Sequence, residues 1–282
     1  MTFSQPVHTA SLFRPLHQEL VRLLRSLEPA DWDRPTVAGQ WTVKDVAAHL
    51  LDGQCRRLSF QRDGLPMPDP PGPISSRDGL VAFLDGLNAE WVTAFRRVSP
   101  SLLTGMLAVV GPQVAAFFES LDPRGEAFFA VDWAGEGRSA NWMDIGRDYT
   151  ELWHHQAQIR MATGRDLLLD DAWMTPLHRL AVLALPPSLA SLDPPRGASL
   201  TVEIQGPGAG TWTLSHDEEG WTFGAAAAAG PRTVVRMDGR TAWRIFFNAA
   251  APGEARGLVT AHGDDAIIHR VLRTRSVMVR DV

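Results

Sequence analysis

The hydrophobic pattern of this 282-residue chain changes period once, near residues 165–170, and that change limits the possible folds more than any other feature. Before it, apolar residues recur at the three- and four-residue spacing of one buried helical face. Leu12, Leu16, Leu20, Leu23, Leu24 and Leu27 mark a first helix, with Pro15 tolerable in its opening turn. Thr42-Val43-Lys44-Asp45 has the form of a capping box, although its acid is Asp where Glu is preferred, and it predicts a second helix to residue 61. The proline-rich residues 64–73 cannot be helical and read as an extended surface loop. Ser75 or Ser76 caps a third helix carrying Leu80, Phe83, Leu84, Leu87, Trp91 and Phe95. A fourth helical stretch, near 101–121, is expected to break around Gly111-Pro112. Residues 126–134 read as a short strand or an apolar loop, and a fifth helix runs from near Asn141 to a stop at Gly164.

Beyond Asp170 one more helix, over 171–185, is expected to stop at Pro186-Pro187. Alternating segments at 200–204, 210–214, 220–223 and 233–237 then read as short strands joined by Gly and Asp turns. Asp238 is placed to cap a helix holding Ala242, Trp243, Ile245, Phe246 and Phe247. A last strand near 256–262 precedes a helix opening at Asp264 or Asp265. The fold class is therefore α+β, with a helical bundle over residues 1–166 and a smaller α+β domain over 167–282. The alanine tract 225–229 is the single low-complexity patch and reads as a loop.

Composition narrows the function classes. At 45% hydrophobic and 21% charged residues, a packed core is the expectation. A net charge of -5 provides no basic field for nucleic acid or an anionic membrane surface, so neither is an expected partner. Cys55 is the only cysteine, which rules out an intramolecular disulfide and a thiolate-rich metal site. Residues 1–10 lack the charge-then-apolar order of a signal peptide, and the longest apolar runs fall short of a membrane span. A soluble, cytoplasmic protein is the expectation.

Two distant stretches each supply half of a metal site. On a helix, Glu151 and His155 lie four residues apart and project from one face, so they can share an ion. His49, on the inner margin of the second helix, would complete a three-ligand site with open coordination positions, which suits catalysis better than bracing. A helical wheel places Ile145, Tyr149, Leu152 and Ile159 on the core-facing arc, with His155 at its edge and Glu151 about 40° further round. His154 falls nearly opposite and reads as a surface residue. Arg147, four residues before Glu151, either orients that carboxylate or forms an exposed ion pair.

These residues resemble the DinB/YfiT-like superfamily of four-helix metal proteins and, more narrowly, the mycothiol-dependent maleylpyruvate isomerase family. The segment from Trp41 to Leu50 matches that family's Trp-Ser/Thr-Val-x-Asp-x-x-x-His-Leu pattern, and Arg147, Glu151 and His155 match its Arg-x-x-x-Glu-x-x-x-His pattern. The following Gln156-Ala157-Gln158-Ile159 is similar to a His-x-Gly-Gln segment of the wider superfamily, with Ala157 where Gly is usual. Residues 233–247 and 257–273 resemble the family's sterol-carrier-protein-like second domain. The resemblance implies a DinB-like four-helix bundle with His49, Glu151 and His155 as ligands to a divalent metal such as Zn²⁺, with Ni²⁺ or another first-row ion as alternatives. It also implies a low-molecular-weight thiol cosubstrate such as mycothiol. An arginine of the second domain is implied as well, with Arg232, Arg236, Arg240 and Arg244 as candidates.

Two imidazoles and one carboxylate leave a divalent ion net positive, so a bound thiol would ionise and become a strong nucleophile. Addition to an activated double bond, rotation and release would be cis–trans isomerisation; attack with retention of sulfur would be S-transfer to a small electrophile. Two other readings remain. One is a metal hydrolase, which needs a base such as Asp45, Asp52 or Asp148 beside the metal. The other is a non-catalytic small-molecule-binding protein with a structural metal. Cys55 reads as a packed, inert thiol, and Trp41, Trp133 and Trp142 as candidate pocket walls.

Overall fold

A computed structural model describes residues 5–224 and 230–278, so the alanine tract read above as a loop lies outside the described residues. The chain forms two compact units. One holds Thr9–Phe128 and Asp148–Leu167; the other holds residues 5–8, Phe129–Arg147 and Leu168–Met278.

The first unit is helical. It contains α1 (Ala10–Arg25), α2 (Val43–Arg56), α3 (Arg77–Phe95), α4 (Pro100–Ser120) and the greater part of α5 (Asn141–Ala162). The leucines of α1 lie where the sequence pattern predicts: Phe13, Leu16, Leu20, Leu23 and Leu24 are all buried. A single π-helical turn, Arg57–Arg62, continues α2 to the expected length. Residues 64–73 are irregular and mostly exposed, and Ser76 caps α3 by accepting from the Gly79 N–H.

α4 departs from expectation twice. It runs unbroken through Pro112, where an interruption is predicted. This stretch packs against the partner helix. The Nε2 of His17 on α1 hydrogen-bonds to the Leu107 carbonyl at 3.0 Å, in the turn before Pro112, while the Gln54 amide lies 3.1 Å from its Nδ1. The carbonyl that Pro112 leaves without its helical donor is that of Ala108, so this bond ties α1 to α4 rather than replacing the lost one. Also, α4 is long and apolar enough to cross a membrane by length and composition, contrary to the sequence expectation. In this unit Leu103, Leu107, Val114, Ala115 and Phe118 form a buried stripe, and the helix packs on α1 and α2.

The second unit is built on a five-stranded mixed sheet in the order β3-β2-β1-β4-β5, with only β1 and β4 parallel. Its strands are β1 (Ser199–Gln205), β2 (Gly210–Asp217), β3 (Gly220–Phe223), β4 (Arg232–Asp238) and β5 (Thr260–His262). Leu200, Val202 and Ile204 of β1 and Thr233, Val235 and Met237 of β4 alternate into the core. On the opposite face Glu203 and Arg236 are register partners and form an ion pair. Helices α6 (Asp171–Ala181), α7 (Leu185–Leu189), α8 (Gly239–Phe246), α9 (Pro252–Gly257) and α10 (Asp265–Arg273) complete the unit. Asp238 caps α8 and Asp264 caps α10, as the sequence predicts. Pro186 and Pro187 do not end a helix; they occupy the first turn of α7, where a missing N–H costs nothing. The expected strand near 256–262 is shorter, because α9 takes its first residues. The α+β class stands.

The His17 contact has a measurable consequence. A Cβ on Gly111 would lie 2.0 Å from His17 Nε2 inside the packed α1–α4 contact, whereas one on Gly105 would meet nothing within 4 Å. Gly111→Ala is therefore expected to destabilise by about 1–3 kcal/mol through overpacking. Gly105→Ala, on the exposed side of the same helix, is expected to stabilise by about 0.5–1 kcal/mol. Urea unfolding of the two variants checks the sign of each.

Candidate metal centre

His49 on α2 and Glu151 and His155 on α5 converge inside the helical unit, each offering one ligand atom within 4.8 Å of the others. The position of His49 follows from how α2 is started and held. Thr42 Oγ1 accepts from the Asp45 N–H and Asp45 Oδ2 accepts from the Thr42 N–H, both at 3.2 Å, which closes the capping box. Arg96 forks onto the same carboxylate at 3.1 and 3.2 Å. Trp91 of α3 donates to the Ala48 carbonyl at 3.0 Å, one residue before His49. The Trp41 ring lies 4.9 Å from the His49 ring, and the His155 ring approaches it edge-on at 4.7 Å.

On α5 the four-residue spacing does what the sequence predicts: His155 Nε2 stands 3.1 Å from Glu151 Oε2. The other nitrogen of His155, Nδ1, lies 2.8 Å from Gln158 Oε1, and Gln158 Nε2 lies 2.9 Å from His154 Nε2. His154 corrects the helical-wheel reading. It is buried, not a surface residue, because every residue from 152 to 159 is buried and this stretch of α5 has no wet face. Sequence reasoning treated Gln158 only as part of a family likeness. Its position one helical turn after both histidines was the available signal.

The electrostatics suit cation ligands. Burial, reinforced by His155, holds the His49 imidazole down at about 3. His154 sits at about 3 for the same two reasons. Burial acts to raise the Glu151 carboxyl, but the hydrogen bond from His155 and the fields of the three histidines outweigh it and hold the group at about 2. His49 and Glu151 thus rest in the forms that bind metal, a neutral imidazole and an ionised carboxylate. His49 Nδ1 is buried and has no hydrogen-bond partner in the structure. A buried polar nitrogen left this way costs about 1–3 kcal/mol unless a ligand accounts for it. Two imidazoles, one of them carrying that orphaned atom, and one carboxylate fit a divalent ion.

Other sequence candidates fall as follows. Arg147 pairs with Asp144 at 2.8 Å, and its guanidinium lies over the Phe129 ring. The Cys55 thiol is half-buried and pushed up by burial and by Asp52, so it stays protonated and inert. Trp133 and Trp142 belong to the sheet-containing unit. Of the candidate arginines there, Arg236 pairs with Glu203 and Arg244 with Glu254. Arg240 lines a cleft of about 280 Å³ with Leu169, Met174 and Gln205, and Arg232 is exposed at the start of β4.

Residues 13–160 match the family described as the mycothiol maleylpyruvate isomerase N-terminal domain. Among solved structures, the chain is similar to mycothiol-dependent maleylpyruvate isomerase, at a TM-score of 0.55 and 14% identity over 93% of this chain and 95% of that one. A histidine-to-alanine mutant of mycothiol-dependent maleylpyruvate isomerase gives the same values, TM-score 0.55 and 14% identity. At that identity the likeness speaks for the fold. No curated protein matches the chain by sequence.

The depressed imidazoles set the acid behaviour of the metal-free protein. His49 and His154 titrate near 3 in the fold, against about 6.5 in an unfolded chain. Below about 6.5 the unfolded state therefore binds protons that the folded state refuses, and stability falls as pH falls, by up to about 1.4 kcal/mol per pH unit for each imidazole. Glu151 adds a loss between its unfolded value of about 4.5 and its folded value of about 2. Urea midpoints measured after chelation should decline steadily from pH 7 to pH 4, and less steeply in His154→Phe. A flat curve would count against these buried, neutral imidazoles.

Proposed function

The chain belongs to the mycothiol maleylpyruvate isomerase N-terminal domain family, and from that premise we propose an enzyme that uses a low-molecular-weight thiol on a small electrophile at a divalent-metal site formed by His49, Glu151 and His155. The observation that carries the reading is the meeting of three donors from two helices distant in sequence, with one buried ring nitrogen left without a partner. When bound there, a divalent cation such as Zn²⁺ would supply an open coordination position and favour the thiolate over the thiol.

The rest of the chemistry belongs to the side chains. Glu151 brings the negative charge that offsets a cation, and its side chain keeps 32% of its exposure, which leaves an approach for a solute. His155, anchored through Gln158, holds the dry side. Trp41 covers the His49 ring and excludes water from that flank. Addition of the thiolate to a conjugated double bond, rotation about the resulting single bond and elimination of the thiolate would give isomerisation, and protonation of the adduct in place of elimination would give S-transfer. A thiol cosubstrate of this class accords with a cytoplasmic setting.

The hydrolase reading loses its bases. Asp45 is committed to the Thr42 cap and to Arg96. Asp52 pairs with Arg56, and Asp148 holds Arg57 through two bonds of 2.7 and 2.8 Å. Each aspartate serves the bundle rather than a nucleophilic water.

Metal analysis and a thiol panel test the proposal together. Wild type should take up one equivalent of Zn²⁺, and His49→Ala, Glu151→Gln and His155→Ala should each lose it while remaining folded. Thiol-dependent conversion, followed by mass spectrometry with mycothiol, bacillithiol and glutathione, should fall to background in the same variants. Retained conversion in His49→Ala with a lowered melting temperature would instead favour a bracing metal in a binding protein.

A further inference from the structure

We propose that the outer face of α4 is a self-association surface, covered by the same face of a second copy of this chain that runs antiparallel to it about a two-fold axis at Val109.

The face is apolar where a surface helix ordinarily carries charge. Glu119 is the only ionisable side chain between Pro100 and Ser120. The inner residues Leu103, Leu107, Val114 and Phe118 are buried, yet only 39% of the helix's most apolar stretch is covered. Leu102, Gly105, Val109, Pro112 and Ala116 are all exposed, Leu102 at 57% and Val109 at 65%. They recur at alternating three- and four-residue steps, the spacing of a seam between two helices. Large apolar side chains aligned along one face mark a contact surface, whereas single ones scattered over a protein do not.

A second copy fits because the face is complementary to itself. α1 runs antiparallel along one flank of α4. At one end of that flank Arg14 pairs with Glu119. At the other, Leu24 and Arg25 border a groove of about 660 Å³ together with Ser101 and Gly105. Arg25 and Glu119 therefore lie on the same flank, at opposite ends of the face. A two-fold axis perpendicular to α4 exchanges those ends, so Glu119 of the second copy arrives at the groove beside Arg25. Arg25 is exposed and has no ion-pair partner among the described residues. The incoming carboxylate also meets the positive end of the helix dipole, at the Ser99 cap of α4. Val109 is the midpoint of the stripe, so the same operation brings the two Val109 side chains together and sets Leu102 against Ala116, large beside small. Such a contact is isologous and closes at two copies.

Sedimentation velocity over a concentration series should take the wild-type chain from 30.9 kDa toward twice that mass. Val109→Glu, at a site too exposed to unsettle the fold, should stay monomeric with an unchanged melting temperature, because two carboxylates would meet on the axis. Arg25→Glu should weaken dimerisation about 2–5-fold, and adding Glu119→Arg to it should restore the wild-type affinity. In a Cys55→Ser background, Val109→Cys should give a disulfide-linked dimer on treatment with diamide. Ser120→Cys should not, since antiparallel pairing holds its two copies about 33 Å apart. A wild type that is monomeric at every concentration, a Val109→Glu variant that still dimerises, or cross-linking through Ser120→Cys overturns the proposal. Flotation of a monomeric wild type with phosphatidylcholine vesicles, lost in Val109→Glu, overturns it as well and assigns the face to a lipid surface.

Discussion

The structure turns on a polar stretch of α5 held in a dry interior. His154, His155, Gln156 and Gln158 are all buried, and a buried polar group is tolerated only when it is hydrogen-bonded. Each bond made here also fixes a neighbour. Gln156 donates to the Leu16 carbonyl at 3.3 Å and accepts from Arg160, which ties α5 to α1. Gln158 joins the two histidines, and His155 reaches Glu151. Apolar residues at these positions would give a core with fewer conditions to satisfy. A helix that carries such a set in its most covered turns has exchanged stability for a defined arrangement of donors.

The facing helix is held by arginine. Arg96 on Asp45 secures the first turn of α2, Arg56 on Asp52 its third, and Arg57 on Asp148 links the end of α2 to α5. Arg57 is buried, with its guanidinium also over the Phe118 ring of α4. Planar guanidinium forks suit these fixed carboxylate geometries better than a lysine point charge. Lys44, the single lysine, donates to the Arg96 carbonyl and so belongs to the same frame. The pairs also account for the nearby aspartates, which leaves Glu151 as the carboxylate that faces the histidines.

Much of this was legible in the sequence, for reasons that can be separated. The capping box at Thr42, the caps at Ser76, Asp238 and Asp264, and the alternation in β1 and β4 are local: short-range chemistry dictates them. The His49, Glu151 and His155 grouping came from spacing on α5 and from a family pattern for α2. What failed was non-local. The wheel put His154 on the surface because it assumes one wet face, and this part of α5 has none. The break expected at Pro112 did not occur: α4 continues through it, packed on α1 along the stretch where His17 reaches the Leu107 carbonyl. Pro186 and Pro187 were read as a stop when they are a start, since proline next to a helix is compatible with either end. On α3 the six apolar residues expected to mark the inner face are half-buried, and the fully buried ones are Val81 and Val92, because periodicity gives a face and not the depth at which it packs.

The graded exposure of the three donors bears on what kind of site this is. A structural metal site is closed, with every ligand drawn into the fold; a catalytic one is anchored on one side and open on the other. His155 has 10% side-chain exposure and is fixed through Gln158, while Glu151 has 32% and reaches toward solvent. That gradient runs across one helical turn of α5, so a single rigid element supplies both the anchored and the open donor. His49, arriving from α2, adds the third donor, and its position depends on the arginine frame. Loosening that frame would therefore be felt at His49 before it is felt at the α5 pair, because α2 meets the centre through one side chain and α5 through two.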